Sequence, residues 1–173
     1  MNFSLEKSIQ ILERTPLVLE TWLKNISNEW ATSNEGPETW SAYDVVGHLI
    51  HGEKTDWIPR AEIILSVKTD KRFEKFDRFA QFEDSKGKSL EELLAAFKTL
   101  RTKNIEVLHS LNISNTDLEK KGIHPAFGEI TLAQLLSTWV VHDLNHLVQI
   151  SRAMAKHYKE DVGPWTAYLK ILQ

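Results

Sequence analysis

Residues 132–158, LAQLLSTWVVHDLNHLVQISRAMAKHY, contain neither glycine nor proline. Within that run Leu132, Leu135, Trp139 and Ala153 fall on one stripe at three- and four-residue steps, which gathers them on a single face only in an α-helix, here of about seven turns. A one-sided helix of that length must bury its stripe against other long elements. The rest of the chain can supply them, because 7 Gly and 5 Pro among 173 residues leave few places to turn.

Three further helical stretches follow from the same periodicity. Leu5, Ile9, Leu12, Leu19, Leu23 and Ile26 mark the first, interrupted at Pro16, with Thr15 placed to cap a new start and Pro16 at its first position. The second opens at a capping box of Ser41 and Asp44 and runs through Val45, Leu49 and Trp57 to about Lys68, with a kink at Pro59. The third opens at Ser89 with Glu92, carries Leu93, Phe97, Ile105 and Leu108 on its apolar face and ends near Asn112. Thr131 and Gln134 cap the fourth, the long run above. Between the second and third, Phe73, Phe76, Phe79 and Phe82 punctuate a charged stretch, which reads as short turns packed over a groove like a lid. Residues 114–121 read as an extra turn stopped by Gly122, and residues 124–129 as a loop. With no convincing period-two strand, the expected class is all-α: a four-helix bundle with short extra helical turns in its connections, one domain over residues 1–173.

Composition removes several functions. Lys and Arg number 21 against 24 Asp and Glu, a net charge of −3, so the chain has no basic footprint for nucleic acid. No apolar run approaches the roughly 18–20 residues that span a bilayer, and MNFSLEKSIQ lacks the features of a signal peptide, so no membrane partner and a cytoplasmic location are expected. Cysteine is absent, which removes disulfides, thiolate metal sites and cysteine nucleophiles. Neither a glycine-rich phosphate loop nor a serine in a nucleophile elbow is present. Chemistry therefore rests on carboxylates, hydroxyls and, above all, the 7 histidines.

His142 and His146 occupy seats on the apolar stripe of the fourth helix. Four residues apart, they can reach one ion from a single rigid helix. Burying two imidazoles with unsatisfied nitrogens is unfavourable, and a shared divalent ion satisfies both; the plainer alternative is a pair of neutral core histidines bonded within the protein. His48, beside Leu49 on the second helix, is the best third ligand. Three histidines leave open positions, as catalytic rather than structural sites do. His51, one turn on, reads as a fourth ligand, an outer-shell group or a surface residue. His157 lies about 16 Å beyond His146 along the helix, too far to share an ion, and His109 and His124 read as structural. Asp44, Glu53, Asp56, Asp143 and Asn145 are candidates to orient the rings. Arg60 and Arg78 are candidate anion contacts, with solvated or ion-paired surface as the plainer reading. Trp40, Trp57 and Trp139 read as core and loop anchors.

The segments WSAYDVVGHLIHGEKTDW and WVVHDLNHLVQISRAMA resemble the two signature regions of the DinB-like superfamily of four-helix proteins, and ILERTP and FDRFAQFEDSKGKSLEELL extend the likeness along nearly the whole chain. The resemblance implies that His48, His142 and His146 bind one divalent ion, zinc or nickel. It also implies a homodimer, and an ion that activates a low-molecular-weight thiol for S-transfer or isomerisation, or water for hydrolysis. His51 stands where members often have an acidic residue, a departure from the family pattern at the outer shell; His51 and Arg78 are the candidate outer-shell or substrate contacts. Because the chain has no cysteine, a reacting thiol of the bacillithiol or glutathione kind would arrive as a cosubstrate. The competing class is a non-enzymatic, dimeric metal-binding or stress-response bundle.

Overall fold

The structure, a computed structural model, describes residues 3–173. Its helices are α1 (Leu5–Leu12), α2 (Thr15–Leu23), α3 (Asn28–Thr32), α4 (Ala42–Thr55), α5 (Trp57–Leu65), α6 (Ala80–Ser85), α7 (Leu90–Ser110), α8 (Asn115–Leu118) and α9 (Leu132–Lys156). Strands β1 (Lys121–His124) and β2 (Gly128–Thr131) precede α9, and two short 3-10 turns, Gly163–Ala167 and Lys170–Leu172, follow it. Four arms form the expected bundle: α1 with α2, α4 with α5, α7, and α9.

The arms begin where local chemistry dictates. Reciprocal capping boxes form at Ser41 with Asp44, Ser89 with Glu92 and Thr131 with Gln134, and a fourth at Ser114 with Asp117 starts α8. Each satisfies two amide donors that a helix start otherwise leaves unpaired. Near Pro16 the chain does break, but Thr15 is not the cap. It is already helical, its hydroxyl donating to the Ile11 carbonyl at 3.3 Å, and Arg14 precedes it without a side-chain cap. The second arm breaks at Asp56 (φ −110°, ψ −67°) and does not kink at Pro59 itself. Pro59 has no N–H for the carbonyl of Thr55, so the turn before it opens. This arm stops at Leu65, short of Lys68, because the Lys71 ammonium crosses its end and binds the carbonyls of Ile63 (2.9 Å) and Ile64 (3.1 Å).

The extra turn expected over residues 114–121 is α8, but the loop expected at 124–129 and the absence of strands are overturned: residues 121–131 form an antiparallel hairpin with Lys121 opposite Thr131 and His124 opposite Gly128. Residues 71–73 run along its edge, the Phe73 amide donating to Ile123 and the Ile123 amide to Lys71 at 3.0 and 2.9 Å. Gly122 permits that approach, since a Cβ there would lie 2.4 Å from the Phe73 ring. The hairpin covers α5 and the start of α9.

The buried apolar side chains divide into two clusters. One contains Leu12, Trp57, Ile105 and Trp139; the other contains Leu19, Ile50, Phe97 and Ile150. Between them in sequence, on three different arms, lie Glu53, Arg101 and Asp143, all fully buried. Arg101 grips Asp143 with two bonds (2.6 and 3.0 Å), reaches Glu53 at 2.8 Å and donates to the Leu12 carbonyl at 2.8 Å. Asn104 and the Trp139 indole N–H also donate to Glu53, at 2.9 and 3.1 Å. Burial alone would weaken the hold of Arg101 on its proton, but Asp143 and Glu53 outweigh it and keep the guanidinium charged. This polar layer fixes α4, α7 and α9 against one another at the level of the histidines.

Candidate metal centre

His48 comes from α4, and His142 and His146 come from α9, one turn apart. Their Nε2 atoms converge: His142 lies 3.0 Å from His48 and 3.1 Å from His146. Two of the rings are held from behind. His48 Nδ1–H donates to Gln81 Oε1 at 2.9 Å, and His146 Nδ1–H donates to Gln149 Oε1 at 2.8 Å. Those bonds place the ring protons on Nδ1, so both Nε2 atoms aim lone pairs at the centre.

The geometry favours an ion over a bonded set of core histidines. His142 carries one ring proton when neutral and can donate it to only one of the two facing lone pairs. Its own Nδ1 is buried with no hydrogen-bond partner. Histidines alone therefore leave the cluster under-satisfied, which is unfavourable for buried nitrogens. A divalent ion fits: zinc bonds of 2.0–2.1 Å in a tetrahedron separate neighbouring ligand nitrogens by about 3.3 Å, close to the spacings found. The three ligand atoms all lie within 4.8 Å of one another.

Aromatic rings wall the cluster. Trp40 lies 4.8 Å from His48 and stacks on His146 at 6.3 Å; Trp57 meets His142 edge-on at 5.1 Å; Phe76 meets His48 at 5.5 Å. Burial, reinforced by the neighbouring His146, pushes His48 down to about 4, and burial likewise lowers His142 and His146. The imidazoles are thus neutral at pH 7, as ligation requires. A stability consequence follows for the metal-free protein. The folded pKa is depressed, so between about pH 4 and 6.5 the unfolded chain binds more protons, and stability falls as pH falls through that window. For His48 alone the loss is on the order of 3 kcal/mol by pH 4. Urea unfolding at pH 7 and pH 4.5 should show the midpoint dropping, with a smaller drop in His48→Gln; equal drops in both proteins would contradict this origin.

The other expected residues are placed as follows. His51 is buried against Phe76 (4.9 Å), its Nδ1 4.0 Å from Asp84, and does not join the converging set. Arg78 is exposed on the rim of an open groove beside His146. Arg60 is a buried residue rather than a solvated one, its Nε 2.5 Å from Asp56. None of the five groups considered for orienting the rings hydrogen-bonds to one. Asp44 caps α4, Glu53 and Asp143 hold Arg101, Asp56 pairs with Arg60, and Asn145 lines the groove. His109 is exposed, and His157 packs against Trp30 at 4.9 Å. His124 lines a cavity beside His48 and His142 and so is more than a structural loop residue.

The orienting groups are instead Gln81 and Gln149. Gln149 lies three residues from His146 on the same helix, a spacing visible in the chain. Gln81 arrives from α6, which can sit tightly on α4 because Gly47 has no Cβ; one there would lie 2.5 Å from Ser85 Oγ. The Tyr43 hydroxyl pins the same strap through the carbonyls of Ser85 and Lys88, at 2.5 and 2.9 Å. Gln81→Leu and Gln149→Leu should each weaken metal affinity by about 10- to 100-fold while leaving one ion per chain at saturation. Competition titration against a chromophoric chelator measures this, and unchanged affinity in both would remove their orienting role.

Two spaces meet at the histidines. A partly open cavity of about 310 Å³ abuts His48 and His142. An open groove of about 850 Å³ abuts His146 and carries Trp40, Arg78 and Arg152, the last in a two-pronged pair with Glu35 at 2.8 Å.

Comparison with known proteins agrees with this picture. The sequence model of the DinB superfamily matches residues 11–150. A Bacillus cereus protein named "Putative metal-dependent hydrolase" is 27% identical over 145 residues, covering 83% of this chain and 81% of its own. A Bacillus anthracis protein of the same name is similar to the same extent. Among solved structures, YfiT from Bacillus subtilis, described as "a probable metal-dependent hydrolase with an unusual four-helix bundle topology", matches with a TM-score of 0.75 over 90% of each chain at 21% identity. The four-helix bundle protein TT2238 matches with a TM-score of 0.55 at 19% identity, over 83% of this chain and 95% of its own. These structural likenesses show a shared bundle fold.

Proposed function

Because the chain belongs to the DinB superfamily, we propose that His48, His142 and His146 hold one divalent ion, zinc or nickel, in an enzyme that activates water or a low-molecular-weight thiol. The observation that carries this reading is the convergence of three Nε2 atoms, two of them deprotonated by the commitment of Nδ1 to Gln81 and Gln149. When bound, such an ion supplies Lewis acidity that makes a water or thiol nucleophilic near neutral pH. Three protein ligands leave room for that molecule.

The remaining work falls to the chain. Gln81 and Gln149 hold two rings in a fixed orientation, and Trp40, Trp57 and Phe76 pack against the ligand rings and limit their movement. Arg78, exposed on the groove, offers a cation to an anionic group entering beside His146. The names of the Bacillus relatives support hydrolysis. Thiol transfer is supported by the wide groove, lined by both charged and aromatic side chains, which has space for a second substrate, in a chain that has no cysteine of its own. The test is a panel assay of zinc- and nickel-reconstituted protein against esters and amides in one arm, and against electrophiles with bacillithiol or glutathione in the other. Metal-dependent turnover in one arm, lost in His146→Ala, is expected. One bound ion per chain with no turnover in either arm would favour the non-enzymatic bundle.

A further inference from the structure

The cavity beside His48 and His142 has a direction. Trp57 stacks on Trp139 (5.8 Å, 9° between planes) while His48 meets His142, so the second arm and α9 run antiparallel along it. Leaving the imidazoles, its wall passes Gly52 and Thr138, each about one turn from a metal ligand. It ends near Asp56, about 12 Å from His48 along α4, and near Arg60 on α5 beyond the break. Phe76, Phe127 and Ile130 give the middle an apolar cover. A volume of about 310 Å³ is at the small end for small-molecule pockets.

The far end is polar without being strongly charged. Arg60 is 7% exposed and paired with Asp56 at 2.5 Å, so the two together add no net charge when ionised. His124 Nδ1 accepts the amide N–H groups of Ala126 and Phe127 at 3.1 and 3.3 Å, which places its ring proton on Nε2 as a donor. Burial lowers the pKa of His124, in keeping with a neutral ring. Near the metal end, Gly52 sits inside α4, where glycine is less favourable than alanine. Gly52 and Trp57 both line the cavity, and a Cβ at Gly52 would stand 3.3 Å from Trp57 Nε1, so a larger side chain at this position must take up cavity space or displace the indole.

We infer that this cavity binds an uncharged, elongated and largely apolar molecule whose distal hydrogen-bond acceptor is read by Arg60 and His124, with Gly52 setting the width of the passage. Its identity as the substrate pocket rests on the proposed role of the three histidines; its occupancy does not, so it can be tested on metal-free protein. The probes are 4-phenylbutanamide, which has a neutral acceptor, butylbenzene, which has none, and 4-phenylbutanoate, which is anionic. Ligand-observed NMR should show the amide binding with a Kd below about 1 mM and the other two at least tenfold more weakly. Gly52→Leu and His124→Phe, the second on the exposed hairpin, should each weaken amide binding tenfold or more. Gly52→Leu should still take up one zinc ion by calorimetry. Absence of amide binding, tighter binding of butylbenzene or the carboxylate, or unchanged affinity in either variant would overturn the inference. Failure of the wild-type protein to bind zinc would instead overturn the metal site and leave the pocket standing.

Discussion

Replacing His142 with alanine should lower the affinity for a divalent ion at least about a thousandfold, roughly 4 kcal/mol of binding free energy, while changing the stability of the metal-free protein by about 1 kcal/mol or less. His142 is the common vertex of the cluster, its Nε2 within 3.1 Å of both partners, so its loss leaves two ligands that do not chelate from one element. The small stability effect has its own reason. The His142 ring is already under-satisfied, with Nδ1 buried and unpaired, so truncation removes a polar liability along with its packing against Trp57. A core histidine would behave in the opposite way, with a large stability loss and no metal to lose. Calorimetric titration with zinc and nickel, alongside urea unfolding with chelator present, separates the two outcomes.

Arg101→Met should destabilise the protein by about 3–5 kcal/mol. That is a large share of the 5–15 kcal/mol typical of a domain. The substitution preserves much of the side-chain volume but leaves the carboxylates of Glu53 and Asp143 buried without their cation; Asn104 and Trp139 still donate to Glu53, and nothing replaces the two bonds to Asp143. Because those carboxylates lie on α4 and α9, which also carry the metal ligands, the variant should lose metal affinity as well. Adding Glu53→Gln and Asp143→Asn to Arg101→Met should recover part of the stability, since both unpaired charges are then gone. A loss below 1 kcal/mol in the single variant would mean that the layer is dispensable.

Arg101 also shows where sequence reasoning reached and where it stopped. It falls in the run Phe97, Arg101, Ile105, Leu108, a charged residue in a core seat, and that is the same signal that singled out His142 and His146 on their helix. The pattern was present at both places; only for histidine did a ready chemical explanation accompany it. The four arms and three capping boxes were readable because periodicity and caps are local, settled within about a turn of the residues that make them. The hairpin was not, since each strand has four residues and β1 buries only Gly122, too little for a period of two to register. Gln81 was hidden for a different reason. It meets His48 from 33 residues away, through a short helix whose approach depends on the missing side chain of Gly47. His124 likewise gains its place in the cavity wall only when the hairpin is laid over α5, a tertiary arrangement that nothing in its sequence neighbourhood announces.

Zinc K-edge X-ray absorption on protein reconstituted with one zinc ion per chain bears on the metal centre most directly. The account predicts three imidazole nitrogens at about 2.0–2.1 Å, completed by at least one further light-atom ligand, with the imidazole signal reduced in His48→Ala. A zinc shell of oxygen ligands alone, or an imidazole count unchanged in His48→Ala, would contradict it.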